Sequence, residues 1–109
     1  MKCERITAEG MRFSIEQDGK EVARARLYIL KNDLHERPFG FLEDVFVTES
    51  VRSQGHGRTL LSSVLEAARE AGCYKLLATS RHGSERKAVH DWYLRAGFKD
   101  YGIEFRITF

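Results

Sequence analysis

Arg52-Ser53-Gln54-Gly55-His56-Gly57-Arg58 is the stretch whose residue types and spacing most directly permit chemistry. Two glycines one residue apart let the backbone curl close to a ligand. Behind them Thr59-Leu60-Leu61-Ser62-Ser63-Val64-Leu65 has apolar residues at helical spacing. The first turn of a helix leaves backbone N–H groups unpaired at the positive end of its dipole, so this turn predicts a phosphate or pyrophosphate site. Two familiar cradles are excluded by missing residues. A mononucleotide loop needs Gly, four residues, then Gly-Lys-Ser/Thr, and no such run occurs. A dinucleotide fingerprint needs a third glycine three positions after the second, where this chain has Leu60.

The elements that must hold the turn can be read from periodicity. Met11, Phe13 and Ile15 alternate with polar residues, Asp18-Gly19 supplies a turn, and Ala23, Ala25, Leu27 and Ile29 alternate on the way back, which predicts a hairpin. Lys31 to Pro38 reads as an exposed connection. Phe39 to Thr48 should be a central strand, since Phe41, Leu42, Val45, Phe46 and Val47 fall on both faces, and it runs straight into the glycine turn. A helix is expected from about Gly57 to Ala71, with Leu60, Leu61, Val64, Leu65 and Ala68 as its apolar stripe and Gly72 as its left-handed cap. Cys73 to Ser80 reads as a short buried strand. A second helix should begin at Ser84 as N-cap and end at Gly97, with Ala88, Val89, Trp92, Tyr93 and Ala96 on one side. Ile103, Phe105, Ile107 and Phe109 alternate with Glu104, Arg106 and Thr108, so the chain is expected to close on a strand. The fold class is α/β, a mixed and mainly antiparallel sheet flanked by helices.

Composition bounds the function. A chain of 109 residues, 42% apolar and 31% charged, is expected to form one domain, 1–109, around a single core. A formal charge of +2, with no aromatic residues interleaved among the basic ones, argues against a nucleic-acid partner. No apolar run approaches the ~18 residues of a membrane span, and no signal-peptide core follows Met1, so a cytoplasmic location without membrane contact is expected. Cys3 and Cys73 are far apart in no C-x-x-C arrangement and read as reduced structural thiols. The four histidines lack metal-ligand spacing, and no metal is expected. Ser84 is better read as an N-cap than as a nucleophile.

Arg52-Ser53-Gln54-Gly55-His56-Gly57 has the form R-x-x-G-x-G, and His90-Asp91-Trp92-Tyr93-Leu94-Arg95-Ala96-Gly97-Phe98 has the form H-x-x-Y-x-x-x-G-F. The pair, in this order between a strand and a helix end, resembles the GNAT-type N-acetyltransferase superfamily, over roughly residues 40 to 98. The resemblance implies the acyl-CoA N-acyltransferase fold, in which the two middle strands, here those ending at Thr48 and Ser80, splay to admit the pantetheine arm of acetyl-CoA. It implies Phe46 and Val47 on the strand as cofactor-binding positions. Arg52, Gln54, Gly55, His56, Gly57, Arg58 and Thr59 would hold the pyrophosphate. Arg86, in a basic cluster with Arg81, His82 and Lys87, either meets the 3′-phosphate or belongs to an exposed first turn.

Transfer to an amine needs two proton movements. Tyr93 matches the tyrosine that protonates the departing thiolate in many members, and a phenol is neutral near pH 7; its other reading is a core aromatic. Glu43 and Asp44 lie where the family often places a carboxylate base, and strand alternation sends them to opposite faces, so only one should reach a cleft. His82 and His90 are further candidates, His90 equally as a residue that orients the neighbouring loop. Members usually carry a strand and two helices ahead of the hairpin that this chain has no room for. The acceptor side is therefore either open, suiting a protein or peptide amine, or completed by a second subunit in a homodimer, suiting a small amine. The expected function is acetyl transfer from acetyl-CoA to a primary amine by direct attack on the thioester. The alternative is a non-catalytic CoA-binding sensor or regulatory module.

Overall fold

Asp18 and Gly19 both take left-handed φ values, 54° and 76°. The two-residue turn they make matches the twist of paired strands and joins β1 (Glu9–Gln17) to β2 (Lys20–Leu30) as expected. The computed structural model describes all 109 residues, which fall into two units, Met1–Ala78 and Thr79–Phe109.

In the first unit the hairpin continues into β3 (Phe39–Val47), a 3-10 turn over Glu49–Gln54, helix α1 (His56–Glu70) and β4 (Leu76–Ala78). The sheet order is β1-β2-β3-β4, antiparallel except for the parallel β3/β4 pair. α1 covers one sheet face. Its Leu60, Leu61, Val64 and Ala68 are buried on the side of the sheet that carries Ala23, Ala25, Leu27 and Leu42. Apolar alternation in β2 meets the helical stripe of α1 there, and burial of both drives the packing. Leu27 is 0% exposed. Leu27→Ala should destabilise the chain by about 2–5 kcal/mol, read as a lowered denaturation midpoint with unchanged slope.

β3 is central, as expected, with β2 at one edge and β4 at the other. On the sheet face opposite α1, Phe46 is 43% exposed and Glu43 and Asp44 are exposed. That face is ionic, with Arg12 bound to Glu21 at 2.5 and 2.9 Å and Arg24 and Arg26 on Asp44. The helix is capped as read from the sequence, with Gly72 at φ 79°.

The second unit has a single 3-10 turn, Ser84–Arg86, leading into α2 (Lys87–Arg95). Ser84 lies inside that turn and makes no side-chain cap, a correction to its expected role. None of the α2 stripe is buried, although Val89, Trp92 and Tyr93 are half-covered. The closing strand also fails to form. Residues 101–109 join no sheet, since alternation prepares a face but does not by itself supply the pairing.

Candidate functional site

The glycine turn is built from strand inward. Thr48 N donates to Val22 O at 2.8 Å, fixing where β3 leaves the sheet, and Val51 buries its side chain beneath the 3-10 turn. Gln17 Nε2 donates to Gln54 Oε1 at 3.2 Å, and Arg52 Nε donates to Val47 O at 2.9 Å. The turn is thus tied back to the hairpin and to the end of β3. Gly55 ends the 3-10 turn with φ 83°, a left-handed conformation that side chains disfavour, and it also serves as N-cap of α1. A side chain at Gly55 would meet nothing within 4 Å, so the space beside it is open.

A glycine cap leaves the start of the helix without a side-chain acceptor. Thr59 closes the first turn, its N and Oγ1 both donating to Gly55 O at 3.1 and 3.2 Å. The amides of His56, Gly57 and Arg58 come before that closure and have no intrahelical partner. His56 Nε2 is buried with no hydrogen-bond partner. Arg58 is exposed and makes no ion pair, while Arg52 spends only Nε on Val47. Free amides, open space and two available guanidinium groups fit a pyrophosphate. A groove of about 420 Å³ between β1 and the start of α1 is lined by Arg12, Phe13, Ser14 and Ile15 on the strand and by Thr59, Leu60 and Ser63 on the helix.

β3 itself is paired with β4 only at Gly40↔Leu76, Phe41↔Leu77 and Leu42↔Ala78. From Glu43 to Val47 the edge facing β4 has no strand partner, so a single extended chain could add to it. This is the splay expected between the two middle strands.

Glu43 and Asp44 stand differently from their sequence reading. On β2 one residue separates Arg24 from Arg26, whereas on β3 two residues separate their partners Phe46 and Glu43. The extra residue makes a β-bulge, and Asp44 adopts φ 56° within it. Cross-strand partners share a face, so Glu43 lies on the face of Arg26. Asp44 binds Arg24 Nε and Nη2 at 3.0 and 3.1 Å and lies 3.5 Å from Arg26 Nε. Both carboxylates therefore occupy the face opposite α1, against the alternation that was to separate them. Hydrogen bonding from Arg24, reinforced by its charge, holds the Asp44 carboxyl below the usual carboxylate range. Glu43 has no ion-pair or hydrogen-bond partner. Arg24 also caps the Phe46 ring, 4.9 Å from its centroid. Sequence reasoning missed the arginine clamp, though Arg24-Ala25-Arg26 opposite adjacent acids was its visible signal.

In the second unit Tyr93 sits edge-on to Trp92 and Phe98, with ring centroids 5.0 and 5.2 Å away. Its hydroxyl has no hydrogen-bond partner. Burial pushes its pKa up, with the Arg86 charge pulling partly back. Arg86 donates to Ser80 Oγ from Nε and Nη2 at 3.4 and 3.3 Å. His90 Nε2 lies 3.0 Å from Arg81 O and 3.1 Å from Ser80 Oγ. A carbonyl only accepts, so Nε2 carries the proton and cannot serve as a base there. His90 orients the loop after Ala78, one of its two expected roles. His82 is exposed.

Residues 2–98 match the acetyltransferase (GNAT) family. The chain is 34% identical over 70 residues to a probable glucosamine 6-phosphate N-acetyltransferase 2 of Oryza sativa subsp. japonica, covering 64% of this chain and 39% of that protein. It is 33% identical over 97 residues to an aminoglycoside N(6')-acetyltransferase type 1 of Stenotrophomonas maltophilia, covering 85% of this chain and 62% of that one. Among solved structures, a putative acetyltransferase from Agrobacterium tumefaciens str. C58 superposes with a TM-score of 0.80 at 35% identity, over 91% of this chain and 68% of that one. The chain spans 39% of the rice protein and 62% of the bacterial one. With a match that spans nearly the whole chain, the chain belongs to the acetyltransferase (GNAT) family.

Proposed function

We propose that the chain, residues 1–109 as one domain, is a cytoplasmic N-acetyltransferase that moves an acetyl group from acetyl-CoA to a primary amine. The observation that carries this reading is the uncapped start of α1 behind left-handed Gly55, next to a β3 edge with no partner from Glu43 onward. Acetyl-CoA supplies an acyl group already activated as a thioester. The amides of His56, Gly57 and Arg58, with Arg52 and Arg58, hold the pyrophosphate; Gln54, Gly55 and Thr59 shape the turn. Phe46 and Val47 lie along the edge that receives the pantetheine arm.

Glu43 acts as general base, directly or through water, taking a proton from the amine as the nitrogen attacks the acyl carbon. The C–N bond forms as the C–S bond breaks, and Tyr93 gives its proton to the departing sulfur. Asp44 is a poor base in this scheme because two arginines already occupy it. The acceptor is a small amine, the class named in the relatives' activities. Arg86, engaged with Ser80, contributes charge next to Tyr93 rather than a free cation for the 3′-phosphate.

Acetyl-CoA at a hundredfold its Kd should stabilise the fold by about 2.7 kcal/mol, a rise in Tm of roughly 10 °C for a chain of this size. A free-thiol assay with glucosamine 6-phosphate and an aminoglycoside should then show turnover with at least one. No change in Tm with acetyl-CoA or CoA overturns the reading. Stabilisation without thiol release across an amine panel favours the sensor alternative.

A further inference from the structure

Arg26 lies in the middle of a cross-strand row on the sheet face opposite α1, with Arg12 opposite it on β1 and Glu43 opposite it on β3. Opposite charges set directly across a strand pair attract each other, so Arg26 and Glu43 are placed to form an ion pair. They form none. Arg26 instead brings its Nε to 3.5 Å from Asp44, and Glu43 is exposed. The bulge in β3 is the reason, because it adds Asp44 to the same face and two arginines converge on that one carboxylate. Arg12 is committed to Glu21 through both Nη groups, and Arg24 to Asp44 through Nε and Nη2. Of the three arginines on this face, only Arg26 keeps both Nη groups free of hydrogen bonds, while Glu43 beside it keeps both oxygens.

An open guanidinium next to an open carboxylate fits a ligand that carries both signs. The guanidinium offers two parallel N–H donors, a fork that matches a phosphate or a carboxylate, and Glu43 accepts from an ammonium group. The next row on the same face gives the body of such a ligand an aromatic surface, since Tyr28 lies opposite Phe41. The Tyr28 ring lies over Gly10, where an added Cβ would stand 3.2 Å from Cδ1. We propose that this face takes an acceptor amine that also bears an oxyanion, with the nitrogen at Glu43 and the phosphate or carboxylate on Arg26. The inference rests on acetyl transfer with Glu43 as base, and it makes Arg26 the residue that determines acceptor class. A polyamine brings only further positive charge to Arg26 and is selected against.

Two matched pairs of amines test it on the full chain: glucosamine 6-phosphate against glucosamine, and β-alanine against β-alaninamide. Titration calorimetry with CoA present reads binding without turnover. In at least one pair the wild type should bind the anionic member about tenfold more tightly, and the pair that shows it identifies the oxyanion. Arg26→Gln should bring that ratio close to one. Arg12→Gln should keep it, because the Arg12 guanidinium is already held by Glu21. Far-UV circular dichroism confirms that each variant folds. The free-thiol assay should show the same preference, carried by KM. Arg26-dependent binding with no thiol release from any amine supports the site and overturns acetyl transfer. Thiol release with equal binding inside both pairs leaves acetyl transfer standing and overturns the acceptor class. A preference that survives Arg26→Gln overturns the assignment to Arg26, as does one that Arg12→Gln abolishes.

Discussion

Replacing Tyr93 with Phe should lower the rate of acetyl transfer about a hundredfold, within the range typical of a lost general acid, and leave the rise in Tm with CoA intact. The substitution removes one oxygen and keeps the ring, whose edge contacts with Trp92 and Phe98 are apolar. The hydroxyl has no partner to lose, so stability should change by less than about 1 kcal/mol. Rate and stability therefore separate. The pH profile gives a second readout. Burial raises the Tyr93 pKa above the ordinary phenol value near 10, so the proton needed by the leaving sulfur stays available through neutral pH. It is lost only as pH climbs through the raised value, and that alkaline fall should be absent in the Phe variant. An unchanged rate would remove Tyr93 from the chemistry and leave it as a packing residue.

The second large effect is expected at Glu43, and its contrast with Asp44 is the informative part. Glu43→Gln should reduce turnover about a hundredfold, with Tm little changed, because the side chain is exposed and unpaired. Asp44→Asn should do the reverse, costing stability more than turnover, because it dismantles the contacts with Arg24 and Arg26. The Asp44 carboxyl is held below its usual range, first by hydrogen bonding from Arg24. Its stabilising contribution is thus present above the unfolded carboxyl pKa near 4 and lost as pH falls through the lower folded value. Thermal melts between pH 2 and about 6 should show that acid loss in the wild type and a smaller one in the Asn variant. Turnover abolished by Asp44→Asn and spared by Glu43→Gln would exchange the two roles.

Much of the fold was legible because its signals are local. Asp18-Gly19 favours a hairpin turn, the apolar stripe from Leu60 to Ala68 has helical spacing, and Gly55 and Gly72 mark both ends of α1 by conformations that favour glycine. The expectation of an anion site at the turn rests on the same local rules, and the resemblance to a CoA-type loop rested on Tyr93 and Gly97-Phe98 downstream. Alternation misled in two places. In β3 it separated Glu43 from Asp44, whereas the bulge puts both on one face; a bulge is a property of two strands in register and cannot be seen in one. At residues 103–109 it announced a strand that joins no sheet.

The sequence by itself determined the hairpin, the strand before the glycine turn, the helix behind it and the glycines at its two ends, since these depend on φ preferences and on spacing along one chain. Only the tertiary structure decided which sheet face α1 covers, where β3 parts from β4, and which carboxylate the arginines of β2 take. Those outcomes depend on pairing register between distant segments, and a shift of one residue there exchanges buried for exposed.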